Sequence, residues 1–444
     1  MKGRLYISHL LTSWTDRVFE FACFLLIADI FKTSLLLASV YGFATTISAI
    51  VFSNYIGRYV DRTPRLSCVR GTLLVQKASI VISCGLFWLL LATNTYSKLF
   101  YFGVVICGCL LKLSFIANNI AIEKDWVMVI AESDTEAMLT VMKRIDLFCK
   151  TMAPVLIGSL MAFGPMAGVV IIAMWNIVSF LIEYQLCYQT YMAYPKLASK
   201  DKDCLRSVDE ERTPLLDNDA QQGSATNMDE HQVEQHVMFM NYVRHPIFPA
   251  TLTMALLYLT VLSFGGIMVT YLKIMGYTDW SLGFLRAFAG TMGILSTYLF
   301  PYLSAKVGVI RAGVWALWFE CAMLAPVVLS MTSQYSGSMI GSFMLFGGMS
   351  LSRVGLWVFD IAETILLQQM VDPSQLGSIS GWQHSLCNLF DLSQFILTAV
   401  VSDPYDFIIP SSISWIAVFC ATLCYTYFVR KERGHLLHWR KKHH

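Results

Sequence analysis

Gly168-Val169-Val170-Ile171-Ile172-Ala173-Met174-Trp175-Asn176-Ile177-Val178-Ser179-Phe180-Leu181-Ile182-Glu183 carries two patterns at once. It lies in an apolar segment, 166–192, that has neither the alternation of a barrel strand nor the polar face of a surface helix. At 1.5 Å per residue the segment is long enough to cross about 30 Å of hydrocarbon. Backbone N–H and C=O groups find no water there, so the segment is expected to be a helix. Inside it Asn176, Ser179 and Glu183 recur at i, i+3 and i+7, which places them on one stripe. Lipid rejects such a stripe, so it must face a cavity or a partner.

Segments of the same kind recur near 5–30, 35–58, 71–93, 99–121, 136–161, 248–272, 281–305, 308–331, 338–364, 376–402 and 407–429. Over the 444 residues, hydrophobic side chains make up 56% and charged ones only 14%, against about a quarter charged in soluble proteins. This excludes a soluble enzyme, a secreted disulfide scaffold and a disordered chain. The formal charge of +2 comes with no basic face, so nucleic acid is not a partner; the lipid bilayer is. The first apolar run exceeds a signal peptide's core and is expected to stay as a span.

The expected fold is an all-α membrane protein with twelve transmembrane helices in two six-helix halves. Residues 1–193 form the first half, 194–247 a cytoplasmic linker rich in Asp, Glu, Gln and Asn, 248–430 the second half and 431–444 a basic tail. Lys and Arg gather on alternate connections, at Arg58, Arg62, Arg65 and Arg70, across the linker, at Lys306 and Arg311, and in the tail. The positive-inside rule therefore puts both termini in the cytoplasm. Gly57-x-x-x-Asp61-Arg62 after the second span resembles the loop signature of the major facilitator superfamily, whose substrate path runs between two such halves.

Ionisable groups inside spans are functional candidates by default. The first span offers Asp16, Arg17 and Glu20, the third Gln76 and Lys77, the fifth Lys143, Arg144 and Asp146, the tenth Arg353, Asp360 and Glu363, the eleventh Asp391. Arg144/Asp146 and Arg353/Asp360 read as pairs that lock helices. No matching cation is evident in the sequence beside Asn176 and Glu183, so Asp16, Gln76, Asn176 and Glu183 are expected to converge without full neutralisation. An all-oxygen set of this kind suits Ca2+, Mn2+ or Fe2+ better than Cu or Zn.

These residues carry a family resemblance. Leu5-Tyr6, Trp14-x-Asp16-Arg17, Leu35-Leu36-Leu37-x-x-Val40-Tyr41-Gly42, Val75-Gln76, Asp125-Trp126, Arg144-Ile145-Asp146 and Ala153-Pro154 look like ferroportin, an iron exporter. So do Trp175-Asn176 to Glu183-Tyr184, Arg353-Val354-Gly355-Leu356-Trp357, Phe359-Asp360 and Leu389-Phe390-Asp391-Leu392, in collinear order. The resemblance implies Fe2+ export by alternating access, with Mn2+ and Co2+ as weaker substrates and a role in metal homeostasis. It assigns the first metal site to Asp16, Gln76, Asn176, Ser179 and Glu183, with Ca2+ as an activating ion and no resident cofactor. Arg65 and Asp125 match a gate pair, and Asp146 and Arg353 match further gating positions.

The departures are specific. Glu20 stands where the family has histidine, and is an added candidate ligand. The family's Asp-Cys pair in a broken seventh span falls on Gly265-Gly266, and its eleventh-span histidine on Gln394. This argues against a second metal site and against hepcidin as a partner, since that inhibitor uses the cysteine. The glycine pair still predicts an unwound helix whose carbonyls could attract a cation. His9 and His384 lie in spans at non-matching positions; His384 could replace the missing ligand, but its ten-residue offset from Gln394 puts it on another helix face and it reads as a satisfied polar residue. Glu211-x-x-x-Leu215-Leu216 in the linker resembles an acidic dileucine signal for adaptor proteins, which leaves plasma membrane and endolysosomal membrane both open. An organic-cation exporter of the same fold and a non-transporting metal sensor are the alternatives. No ATP-binding loop, zinc-protease motif or cofactor fingerprint points to an enzyme.

Overall fold

A computed structural model describes residues 2–32, 34–93, 98–131, 135–198, 240, 242–332, 338–371 and 376–433. The linker signal at Glu211, Leu215 and Leu216 and the tail beyond 433 lie outside the described residues. The long helices are α1 (Lys2–Ile30), α2 (Leu36–Arg62), α3 (Arg65–Thr93), α4 (Lys98–Asn119), α5 (Thr135–Ala162) and α6 (Pro165–Ala193). They continue with α7 (Phe248–Tyr258), α8 (Gly266–Ile274), α9 (Asp279–Val307), α10 (Val309–Ser330), α11 (Met339–Met370), α12 (Leu376–Val400) and α13 (Ile408–Arg433). With α7 and α8 as two pieces of one span, the helices follow the apolar segments of the sequence one for one. Among the described residues there is no strand.

Helix starts follow local chemistry. Gly164 at φ 128° turns the chain into Pro165 at the first position of α6, where a missing N–H costs nothing. Ser338 caps α11 by accepting from the Gly341 N–H at 2.9 Å. After α4 the chain runs through a π-helical segment, Ile120–Trp126, before the short helix Val127–Ala131. Trp126, fully buried, centres an apolar cluster with Leu5, Val69, Leu73 and Met142 that closes this end of α1, α3 and α5.

Eight of the described helices are long and apolar enough to cross a membrane by composition alone. Of the four spans that miss that mark, α2 enters only as a shorter apolar helix, Leu36–Phe52, and the other three fall short for visible reasons. α1 carries Asp16, Arg17 and Glu20, the α7/α8 span is broken in the middle, and α12 presents Gln383, His384, Asn388, Asp391 and Gln394. In a membrane protein, polarity of this sort is tolerated only where the helix turns it away from lipid.

The chain resolves into two compact units. The first holds Met1–Leu216 together with Gly266–Ala287 and Ser402–Pro404; the second holds Asp217–Gly265, Phe288–Val401 and Tyr405–His444. In the first unit, α9 lies so close to α5 that a Cβ on Gly158 would overlap the Asp279 carbonyl, and one on Gly283 would overlap the Pro154 carbonyl. Lys273 beside this contact bonds the Asp29 carboxylate at 3.0 Å and also Asp279. Gly158→Val is expected to destabilise the protein by about 1–3 kcal/mol through overpacking, read as a lowered melting midpoint in detergent; an unchanged midpoint would refute the close approach.

Candidate cation site

The site is built where α1, α3 and α6 of the first unit pack together. The polar residues of α1 recur at helical spacing, Ser8, Thr12, and then Thr15 with Asp16, and all are buried. From α6 the stripe legible in the sequence points inward: Asn176, Ser179 and Glu183 are each no more than 1% exposed. From α3 come Gln76 and Lys77, also buried.

The largest correction to the sequence reading is Lys77. Its Nζ donates to Glu183 Oε1 at 2.6 Å and to Thr15 Oγ1 at 3.0 Å. Thr12 Oγ1 donates to the other carboxylate oxygen, Glu183 Oε2, at 2.9 Å. The expectation that no cation stands beside Glu183 therefore fails. A lysine adjacent in sequence to Gln76 neutralises it, because the register of α3 against α6 brings the two together across 106 residues. A buried carboxylate demands such a partner, since an unpaired one costs several kcal/mol.

Three other oxygen groups are left open. Asn176 spends its amide nitrogen on the Ile172 carbonyl at 2.8 Å, while its Oδ1 is buried without a donor. Gln76 has neither amide atom bonded, although the residue is fully buried. Asp16 accepts no hydrogen bond among the described residues, and the nearest cationic atom, Arg17 Nη1, is 4.0 Å from its Oδ2. Ser179 adds a hydroxyl oxygen, its proton donated to the Asn176 carbonyl at 3.3 Å. Unsatisfied buried amides are rare in folded proteins and mark places where a ligand or ion completes the bonding.

Arg17 reaches Asp16 only at the 4.0 Å limit of an ion pair because Glu20 holds it. Arg17 Nη1 donates to Glu20 Oε2 at 2.8 Å, and Arg286 Nη2 of α9 donates to Glu20 Oε1 at 3.0 Å. The Arg286 guanidinium also lies over the Phe21 ring at 5.1 Å. Glu20, a candidate ligand by sequence, is thus the centre of an Arg–Glu–Arg chain with both oxygens engaged. Its effect on the site is indirect: it draws Arg17 to 4.0 Å from Asp16 and leaves that carboxyl group open to a ligand.

The gating candidates fall out differently. Asp146 accepts from Ser13 Oγ at 2.6 Å and lies 3.1 Å from His9 Nε2, so α5 is tied to α1 there, while Arg144 is exposed and takes no part. His9 Nε2 faces that carboxylate but is buried without a hydrogen bond among the described residues. Arg65 donates to the carbonyls of Leu197 at 3.0 Å and Lys196 at 3.5 Å, a cationic cap on the turn after α6. The side chain of Asp125 lies outside the described residues. In the second unit Arg353 donates to the Leu262 carbonyl and to Ser352 Oγ, both at 3.4 Å, and not to Asp360 as the sequence reading had it.

At the altered second position the seventh span is unwound between Tyr258 and Gly266, as the glycine pair predicts. Its backbone is already served. Ser414 bonds the Val261 N–H and the Leu259 carbonyl, Thr260 accepts from the Leu262 N–H, and Arg353 takes the Leu262 carbonyl. A guanidinium on that carbonyl opposes the expected weak capture of a cation there. The Phe24 ring lies against Gly266 so closely that any Cβ would overlap it, whereas one on Gly265 would meet only Ser263 Oγ at 3.3 Å. Gln394 donates to Asp391 Oδ1 at 2.5 Å. Gly266→Cys is therefore expected to lower stability by about 1–3 kcal/mol, with recovery when Phe24→Ala is added; thermal unfolding of the single and double variants measures it, and independent effects would disprove the contact.

Sequence reasoning missed Arg286, which sits inside an apolar run, and Glu320, which ends the run Trp315-Ala316-Leu317-Trp318-Phe319. The rule that intramembrane charge is functional by default would have found both.

A helical fold of twelve spans in two units, with polar side chains buried at mid-helix and a broken seventh span, has the major-facilitator architecture. A solved peptide transporter, POT, shares the fold at TM-score 0.64 with 11% identity, over 96% of this chain and 94% of its own. The family is narrower than that fold. The sequence matches the family model described as Ferroportin1 (FPN1) over residues 1–418, and the chain belongs to the ferroportin family. It is 33% identical to solute carrier family 40 member 1 of Oryza sativa subsp. japonica, over 98% of this chain and 92% of the relative. A crystal structure of a bacterial homologue of the iron transporter ferroportin, in an inward-facing state, superposes at TM-score 0.78 with 24% identity, covering 96% of this chain and 98% of that one.

Proposed function

We propose that the chain exports Fe2+ from the cytosol by alternating access, with Mn2+ and Co2+ as weaker substrates. One observation carries the reading: Asp16 is a buried carboxylate without a bonded partner, on a helix packed against two others that supply the unbonded oxygens of Gln76 and Asn176. The naming of a structural neighbour as a homologue of an iron transporter supports iron as cargo. Glu183 belongs to the site as a structural anchor: paired with Lys77, it fixes α6 so that Asn176 and Ser179 face inward.

A set with one free carboxylate and neutral oxygens binds a divalent ion without trapping it, and transport requires release as well as capture. The hard oxygen donors admit Ca2+ too, so a Ca2+ effect on transport through Asp16 is part of the proposal. The distribution of Lys and Arg supports cytoplasmic termini. The covered Gly266 supports insensitivity to hepcidin.

The test is reconstitution of the full chain into liposomes, with Fe2+, Mn2+, Co2+ and Ca2+ assayed separately. Fe2+ flux through wild type is the expected result. Cation binding without flux would replace this reading with a metal sensor, and flux of organic cations without any metal dependence would replace it with a solute exporter.

A further inference from the structure

Glu320 lies in the middle of α10, fully buried, and neither of its carboxyl oxygens has a hydrogen-bond partner. It belongs to the second unit, whereas the residues of the cation site belong to the first. The packing around it is tight: a Cβ on Gly355 of α11 would meet the Ala316 carbonyl oxygen at 2.6 Å and Glu320 Cβ at 2.9 Å. Backbones this close leave no solvent layer between α10 and α11 at that level.

The helices packed against α10 are α11 and α13. From α11 the charged group acting on Glu320 is Arg353, outside ion-pair distance. The Arg353 guanidinium is engaged at one end only, with the Leu262 carbonyl of the unwound seventh span and Ser352, and its Nε is buried without a partner. From α13 the polar group is the Trp415 indole, whose Nε1 donates to the Cys321 carbonyl at 3.1 Å. On α10 itself the neighbouring titratable side chain is Cys321.

A carboxylate stripped of water and denied donors is expensive, and either a proton or a cation removes the cost. Both remedies are within reach here: the proton directly, the cation by a rotamer change of an arginine with an unused donor. We propose that Glu320 is a reversible proton-binding site, neutral while Arg353 holds the Leu262 carbonyl and ionised when Arg353 leaves that carbonyl to pair with it. The balance is simple: the carboxyl O–H bond breaks, the proton leaves to water, and the negative charge left behind is taken by the guanidinium. Because Leu262 sits in the break of the seventh span, the proton state of Glu320 decides whether Arg353 fastens that break. Glu320 is a coupling group, and proton movement accompanies transport.

The coupling part rests on the transport function proposed above; the proton site does not. Infrared difference titration of the purified full chain in lipid nanodiscs, without metal, tests the site itself. Wild type is expected to show a protonated-carboxyl stretch from a water-free environment that titrates with pH and is absent in Glu320→Gln. Persistence of that band in Glu320→Gln, or its absence from wild type, overturns the proposal whatever the protein transports. In proteoliposomes carrying an internal pH dye and a Mn2+ gradient, wild-type flux is expected to change by about tenfold per pH unit along its titrating limb. Glu320→Gln is expected to keep flux but lose that slope and the accompanying proton movement. A wild-type pH slope in Glu320→Gln sinks the coupling role. Should Glu320→Gln not fold, Glu320→Asp keeps the acid in a shorter reach, and its band and pH limb must both move; if neither does, Glu320 is only a buried acid.

Discussion

Asp16→Asn is expected to lower apparent Fe2+ affinity about a hundredfold, near 2.7 kcal/mol, and to reduce flux in liposomes to background at micromolar metal. The size follows from what the structure leaves at the site. Lys77 already neutralises Glu183, and two arginines hold Glu20, so Asp16 is the carboxylate whose charge is not spoken for. Replacing it with an amide of the same shape keeps the packing of α1 and removes the charge–charge part of binding, leaving only dipoles. The measurement is metal-binding calorimetry beside flux, on a variant whose melting midpoint matches wild type. Unchanged affinity in a folded Asp16→Asn protein would mean that Asp16 is not a ligand, and the proposed function would lose its support.

Lys77→Met is expected to cost about 3–5 kcal/mol of stability, because it leaves the Glu183 carboxylate buried and facing only hydroxyl groups, those of Thr12 and Ser179. Glu183→Gln is expected to cost a comparable amount by stranding the ammonium. The two effects should not add: Lys77→Met with Glu183→Leu removes both charges and is expected to recover most of the loss, since an apolar replacement of a buried pair is often neutral. Unfolding midpoints of the two single variants and the double variant decide this. Additive losses would show that the pair is not coupled and that Glu183 is held open for the cation after all. The same set separates ligand from anchor, because the double variant, with Asp16, Gln76 and Asn176 intact, should still bind divalent metal.

The fold was legible in the sequence because a bilayer allows so few answers. A segment such as 166–192 can only be a helix, and Asn176, Ser179 and Glu183 at helical spacing can only be one stripe turned from lipid. Gly265-Gly266 announced the break in the seventh span for a local reason, the low helix propensity of glycine. The partners of the charges were another matter. Arg353 beside Asp360 on its own helix looked like a lock, yet Arg353 reaches the Leu262 carbonyl of a different span. Glu20 looked like a ligand because Arg286, 266 residues away, is invisible from its neighbourhood. Helical periodicity fixes which face a residue occupies and says nothing of what the facing helix brings to the same level.

Hydropathy, spacing and charge distribution by themselves determined that this chain spans a membrane twelve times, carries oxygen-rich polarity inside its first half and breaks its seventh span. Tertiary structure alone decided which of those polar groups are spent and which are open. Lys77 claims Glu183, Arg17 and Arg286 claim Glu20, and Asp16, Gln76 and Asn176 remain. The physical reason is that membrane insertion is governed segment by segment through solvation, whereas ion pairing depends on the register of one helix against another.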